Sequence, residues 1–166
     1  MIYLSAALRL CNSPVLPLNE ETLGREILKA LETYEQGSGG LADLSRSTEA
    51  GKGFLRLAKK LNRAIDDAKL PKGASVRIEG INSCLMKVSR NLVWLNYHGT
   101  GPFDQDPAVP LPPVPLLEPV SMLSKLDPRS DDFKFLKNEI VRLENRVVHS
   151  FHQASESILE SGLVKK

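Results

Sequence analysis

Read for the spacing of its apolar positions, the chain falls into helical stretches divided by glycine and proline punctuation. The last stretch is the clearest. From Ser130 or Asp131, placed to cap after Pro128, to about Ser161 ahead of Gly162, apolar residues recur at Phe133, Leu136, Ile140, Leu143, Val147, Phe151, Ala154 and Ile158. Steps of three and four put them all on one face of a helix. Phe133, Phe151 and Ala154 in that seam suit an intramolecular bundle better than a two-stranded zipper. Ile81 to Asn96 repeats the pattern through Ile81, Leu85, Val88, Leu92 and Leu95, with Met86 and Trp94 off the centre of the stripe, placed to meet a neighbouring helix or a partner. A helix from about Phe54 to Ala68 sets Phe54, Leu57, Leu61, Ile65 and Ala68 on one side, and Lys52, Arg56, Lys59, Lys60 and Arg63 on the other. Before it, residues 41–53 are small and polar and predict a loop with a short helical turn at most. Glu20 to Tyr34 carries Leu23, Ile27, Leu31 and Tyr34 at helical spacing; Asn19 is placed to cap it and Glu20 and Glu21 sit in its positive first turn. Gly37 to Gly40 ends it.

The first stretch, Ile2 to Leu10, is apolar on nearly every side, which predicts a helix buried within a larger body. Ser13-Pro14 and Pro17 then force an extended connector, because each proline removes a backbone donor and pushes its predecessor out of the α region. Pro71 and Gly73 stop the third helix and Gly80 predicts a turn before the fourth; Ser75 to Gly80 is the one stretch with strand character. Gly99 to Pro119 holds seven prolines and predicts an extended crossover, within which Pro110 to Pro115 fits the P-x-x-P pattern of polyproline ligands. The fold expected is all-α: a bundle of four or five helices with a long proline-rich crossover (residues 99–119) before the last. Residues 1–18 form an apolar helix and connector, and residues 19–166 the bundle.

A chain of 166 residues supports one domain with a real core. With nine aromatic residues, aliphatic side chains must fill it. A formal charge of +2 implies neither nucleic acid nor a strongly acidic ligand. Cys11 and Cys84 fit no zinc-ligand spacing; two buried free thiols are the simplest reading, and a single disulfide stays open. No apolar run approaches the roughly twenty residues of a membrane span, the N-terminus makes a poor signal peptide, and there is no N-x-S/T sequon, so the compartment is unassigned.

Candidate chemistry is sparse. His149, His152 and Glu156 lie within two turns of the last helix, but nothing elsewhere completes a metal site, and surface positions are the plainer reading. His98 reads as a loop residue. Asp66-Asp67 and Asp131-Asp132 are sequence neighbours and do not face one another as acid–base chemistry requires. Ser83 and Ser89 lack a nucleophile signature, and the glycines at 37–40 follow a helix and lack a P-loop lysine. No catalytic residue, cofactor or metal ligand is assigned. The basic side of the third helix is the best argument for a polyanion; without interleaved aromatics it reads as a solvated face.

Ala7 to Glu32, "ALRLCNSPVLPLNEETLGREILKALE", resembles the segment that leads into the C-terminal helical dimerisation domain of the transferrin receptor and glutamate carboxypeptidase II family. Leu57 to Lys69 and Ile81 to Gly101 are similar to later helices of that domain, and the final helix takes the place of its closing helix. The first motif is specific; the others are helical patterns. The resemblance implies a non-catalytic helical dimerisation or interaction domain, partnered by a second copy or by an upstream peptidase-like domain. The family's zinc-binding domain has no counterpart here, so no hydrolysis is implied for this chain, and no substrate residue carries over because the Phe-Pro-Gly segment is missing. The start inside the apolar helix suggests a C-terminal piece of a longer protein or a gene reduced to this module. Met86, Trp94 and Tyr97, flanking the main stripe, are the interface residues expected. The alternatives are the accessory part of a longer zinc peptidase, or an adaptor that presents its proline-rich segment.

Overall fold

The computed structural model describes residues 2–67, 75–99 and 110–164. It is all-helical: α1 (Ile2–Asn12), α2 (Glu20–Gly37), α3 (Ser45–Asp66), α4 (Ser75–Tyr97), a 3-10 helix (Pro115–Lys125) and α5 (Asp131–Glu160). The helices α2 to α5 form a four-helix bundle in which α3 and α4 are diagonal, each packing on α2 and α5. Directions follow from side-chain neighbours. Gly24 faces Phe54 and Gly51 faces Leu28, so α2 and α3 run antiparallel. Arg46 bonds Asn145 while Gly51 meets Phe151, so α3 and α5 run parallel. The 3-10 helix closes one end against α2, α4 and α5.

The expected stripes supply the core. Ile81, Leu85, Val88, Leu92 and Leu95 of α4 are all buried, as are Phe133, Ile140, Leu143, Val147, Phe151, Ala154 and Ile158 of α5. Phe54 and Phe151 meet at its centre with ring centroids 5.8 Å apart. Each such side chain contributes about 1.5–3 kcal/mol by leaving water. The capping residues act as their chemistry suggests: the Asn19 side chain accepts from the Thr22 amide, and the Ser130 hydroxyl from that of Phe133. Gly39, Gly40 and Gly162 take the positive φ values that end α2 and α5.

Four expectations need correction. Residues 45–53 are helix, not loop, because Gly51 and Gly53 lie inside α3: a Cβ at Gly51 would come within 2.7 Å of Leu28 and 3.0 Å of the Phe151 ring, so glycine there is a packing residue. Ser75 to Gly80 is neither strand nor turn but the first turns of α4, and Gly80 lies on an exposed helix side. The crossover is only partly extended. Its final residues, Pro115 to Pro119, begin the 3-10 helix, where Pro115 occupies a position that needs no amide donor and Leu116, Leu117, Val120 and Leu123 fill the core. Val114 introduces this helix with φ 52°, a strained backbone for a β-branched residue, held because its side chain is wholly buried. Finally, Cys11 is exposed; only Cys84 is buried, and both are free. Residues 68–74 and 100–109, including Ala68, Pro71, Gly73 and most of the extended crossover, lie outside the described residues.

Candidate functional site

Two groups of exposed apolar side chains bear on association; Val76, Met122, Phe135 and Val141 are exposed elsewhere on the described surface. The first is α1. Tyr3, Leu4, Leu8 and Leu10 are all more than half exposed, and the helix has no extensive packing on another described element. Its root is nevertheless fixed. The Asn82 side chain of α4 donates to the Pro14 carbonyl at 2.9 Å and accepts from the Leu16 amide at 2.9 Å, while Val15 and Leu16 pack against the core. The proline connector therefore leaves α4 at a defined place.

The second feature begins one turn further along α4. Met86, Val93 and Tyr97 are 43%, 39% and 55% exposed. At 100° per residue, positions i, i+7 and i+11 lie within about 40° of arc, so the three form one stripe about 16 Å long on the side of α4 opposite its buried face. Arg90 flanks it on the Tyr97 side and is exposed. Of the expected interface residues, Met86 and Tyr97 are thus brought together. Trp94 is not: it is half-buried, packs against the core and points away from the stripe. Val93 is not among the expected interface residues, although its seven-residue spacing from Met86 is legible in the sequence.

At its C-terminal end the stripe opens into a cavity of 540 Å³ between α2, α4 and the proline segment, lined by Tyr34, Asn96, Tyr97, Leu111, Pro112 and Pro113 among others. The Tyr34 hydroxyl donates to the Pro113 carbonyl at 2.9 Å, and burial, aided by Glu118, raises its pKa. This bond docks the P-x-x-P segment. Pro112 and Pro113 are exposed, but Val114 and Pro115 are buried.

Elsewhere the titratable groups serve the fold. Glu20, almost wholly buried, accepts from the Ser89 hydroxyl at 2.7 Å, and desolvation raises its pKa. Glu144, also buried, accepts from the Ser47 amide at 3.2 Å and pairs with Arg46 at 3.7 Å. Burial pushes the Cys84 thiol up, which disfavours the nucleophilic thiolate. His149, His152 and Glu156 are exposed, and no cluster of three metal-ligating residues occurs among the described residues. No helix among them is long and apolar enough to cross a membrane. The basic side of α3 does not form one surface: Arg56 and Lys60 face a groove toward α5, whereas Lys52 faces one toward α2. No family model, curated protein or solved structure matches the chain.

Proposed function

We propose that this chain is a non-catalytic helical dimerisation or interaction domain of the kind found in the transferrin receptor and glutamate carboxypeptidase family. The observation that carries the reading is the pairing of an uncovered apolar stripe, Met86, Val93 and Tyr97, with an uncovered apolar helix whose root is pinned one turn away at Asn82. Size decides how the two must cooperate. A stable dimer buries about 800 Å² per partner. A stripe about 16 Å long and one helix wide falls well short of that, so α1 must contribute. In this mechanism a second copy covers both, and Arg90 stays at the rim.

The accessory-peptidase reading is favoured by one observation. Because Tyr3, Leu4, Leu8 and Leu10 of α1 spread over about 160° of arc, wider than a two-helix seam needs, the helix suits insertion into another domain as well as pairing with a second copy. The adaptor reading is weaker, since a P-x-x-P receptor would have to extract Val114 and Pro115 from the core.

Sedimentation velocity of the full chain across a concentration series separates these. The dimerisation reading expects a species of twice 18.3 kDa that dissociates in a Met86→Lys/Tyr97→Lys variant with unchanged helicity. A monomer at every concentration overturns self-association and leaves the upstream-domain reading.

A further inference from the structure

The outer surface between α3 and α5 holds a groove of 740 Å³ that the association described above does not use. Its shape comes from small residues: Ala50 and Gly53 on α3 and Ser155 on α5 leave open space, floored by Leu57 above the fully buried Phe54 and walled by Val148. A Cβ at Gly53 would meet only the Arg56 guanidinium, at 3.8 Å. From Arg46 to Lys60 the groove runs about 21 Å along α3, the length of a helix of about 14 residues.

Its charge is one-sided. Arg46, Arg56, Lys60 and His152 stand along it, against a single acid, Glu49. Arg46 is occupied by Glu144 and Asn145. Arg56 and Lys60, one turn apart, are exposed and enter no ion pair among the described residues.

We propose that this groove docks an acidic amphipathic helix from a partner protein, which lays an apolar stripe over Leu57 and Val148 and sets carboxylates against Arg56 and Lys60. An apolar floor with cations confined to the rim fits such a helix better than a polynucleotide, which would need stacking surfaces and a continuous basic track. Because α3 is diagonal to α4, the groove stays open when the α4 stripe is covered, and the proposal holds whether or not the chain dimerises.

The test is fluorescence anisotropy with a labelled synthetic helix of about 14 residues, its leucines at i, i+3, i+7 and i+10 and glutamates elsewhere on the same side. The full-length chain is expected to bind it saturably and more weakly as salt rises. An otherwise identical peptide with lysine for glutamate is expected not to bind. Arg56→Glu/Lys60→Glu, which sets like charges against the peptide's glutamates, should weaken binding at least about tenfold. Gly53→Leu should abolish binding by filling the groove while leaving the circular dichroism unchanged and the melting temperature no lower than that of the wild type. Absence of saturable binding, equal binding of the lysine peptide, or full binding by Gly53→Leu would overturn the proposal. Displacement of the peptide by an oligonucleotide at equal concentration would replace it with a general polyanion surface.

Discussion

Two glycines two residues apart, on opposite sides of α3, do opposite things. Gly51 lies under the Phe151 ring and Leu28, and whereas the leucine end can swing aside, the fully buried ring cannot. Gly51→Ala should therefore destabilise by about 1–3 kcal/mol despite alanine's better helix propensity. Gly53→Ala meets open space and should stabilise by about 0.5–1 kcal/mol. Urea denaturation of the two variants gives both signs directly. Glu20 makes a different kind of demand. Burial outweighs both the Ser89 hydrogen bond and the favourable helix terminus, so the folded chain holds this proton more tightly than the unfolded chain does. Below the ordinary value of 4.5 both states are protonated and folding bears no cost. As pH rises from there through the raised folded value, the unfolded state ionises first and stability falls, after which it levels. Glu20→Gln keeps an acceptor for Ser89 and removes that fall. The variant should gain on the wild type as pH rises to neutrality, and parallel denaturation curves across that range would show any lack of divergence.

At the scale of elements, α3 begins in a way its own sequence does not supply. Leu44 stands at its N-cap without a capping side chain. The first-turn donors are met from elsewhere: Glu144 accepts from the Ser47 amide, Asp43 from that of Ser45, and Glu35 from that of Leu44. Removing Glu144 strands a buried donor. Glu144→Ala should cost about 1–3 kcal/mol and speed amide exchange at the start of α3, while Glu144→Gln, which can still accept from Ser47, should cost less. The same fact explains what was legible in the sequence. The bodies of α4 and α5 were readable because their stripes are long and aliphatic, and the start of α5 because Ser130 caps it locally. The first turns of α3 were not, because a small polar stretch with two glycines becomes helical only when α5 supplies an acceptor and Phe151 needs the space. The 3-10 helix was hidden for a related reason: prolines forbid an α-helix, and whether Leu116 and Leu117 are then buried depends on the bundle end waiting for them. Of the candidate surface, Met86 and Tyr97 could be found by spacing, but the exclusion of Trp94 depends on how α4 is rotated against α2 and α5.

For the molecule as a whole, the question is what holds α1 as a helix. None of its described side chains is buried, so it adds nothing to the core, and deleting residues 1–12 should leave the denaturant midpoint within the equivalent of about 0.5 kcal/mol. The Asn82 clamp engages Pro14 and Leu16 and survives the deletion. By itself, however, an isolated helix shorter than about 12–15 residues is marginal in water, and α1 has 11. On the dimerisation reading proposed above, its helicity comes from the cover over its leucines. If that cover is a second copy, helix formation and association are one equilibrium, and both depend on concentration. Amide exchange at Ala6 to Leu10 should then slow as the full-length chain is concentrated, in step with the sedimenting dimer, while exchange in the α5 core stays constant. Met86→Lys/Tyr97→Lys should release the α1 amides at every concentration without touching those of α5. Protection of α1 that ignores concentration would instead place its support within the single chain, and exchange that remains fast even at high concentration would leave α1 to be covered by a domain other than its own copy.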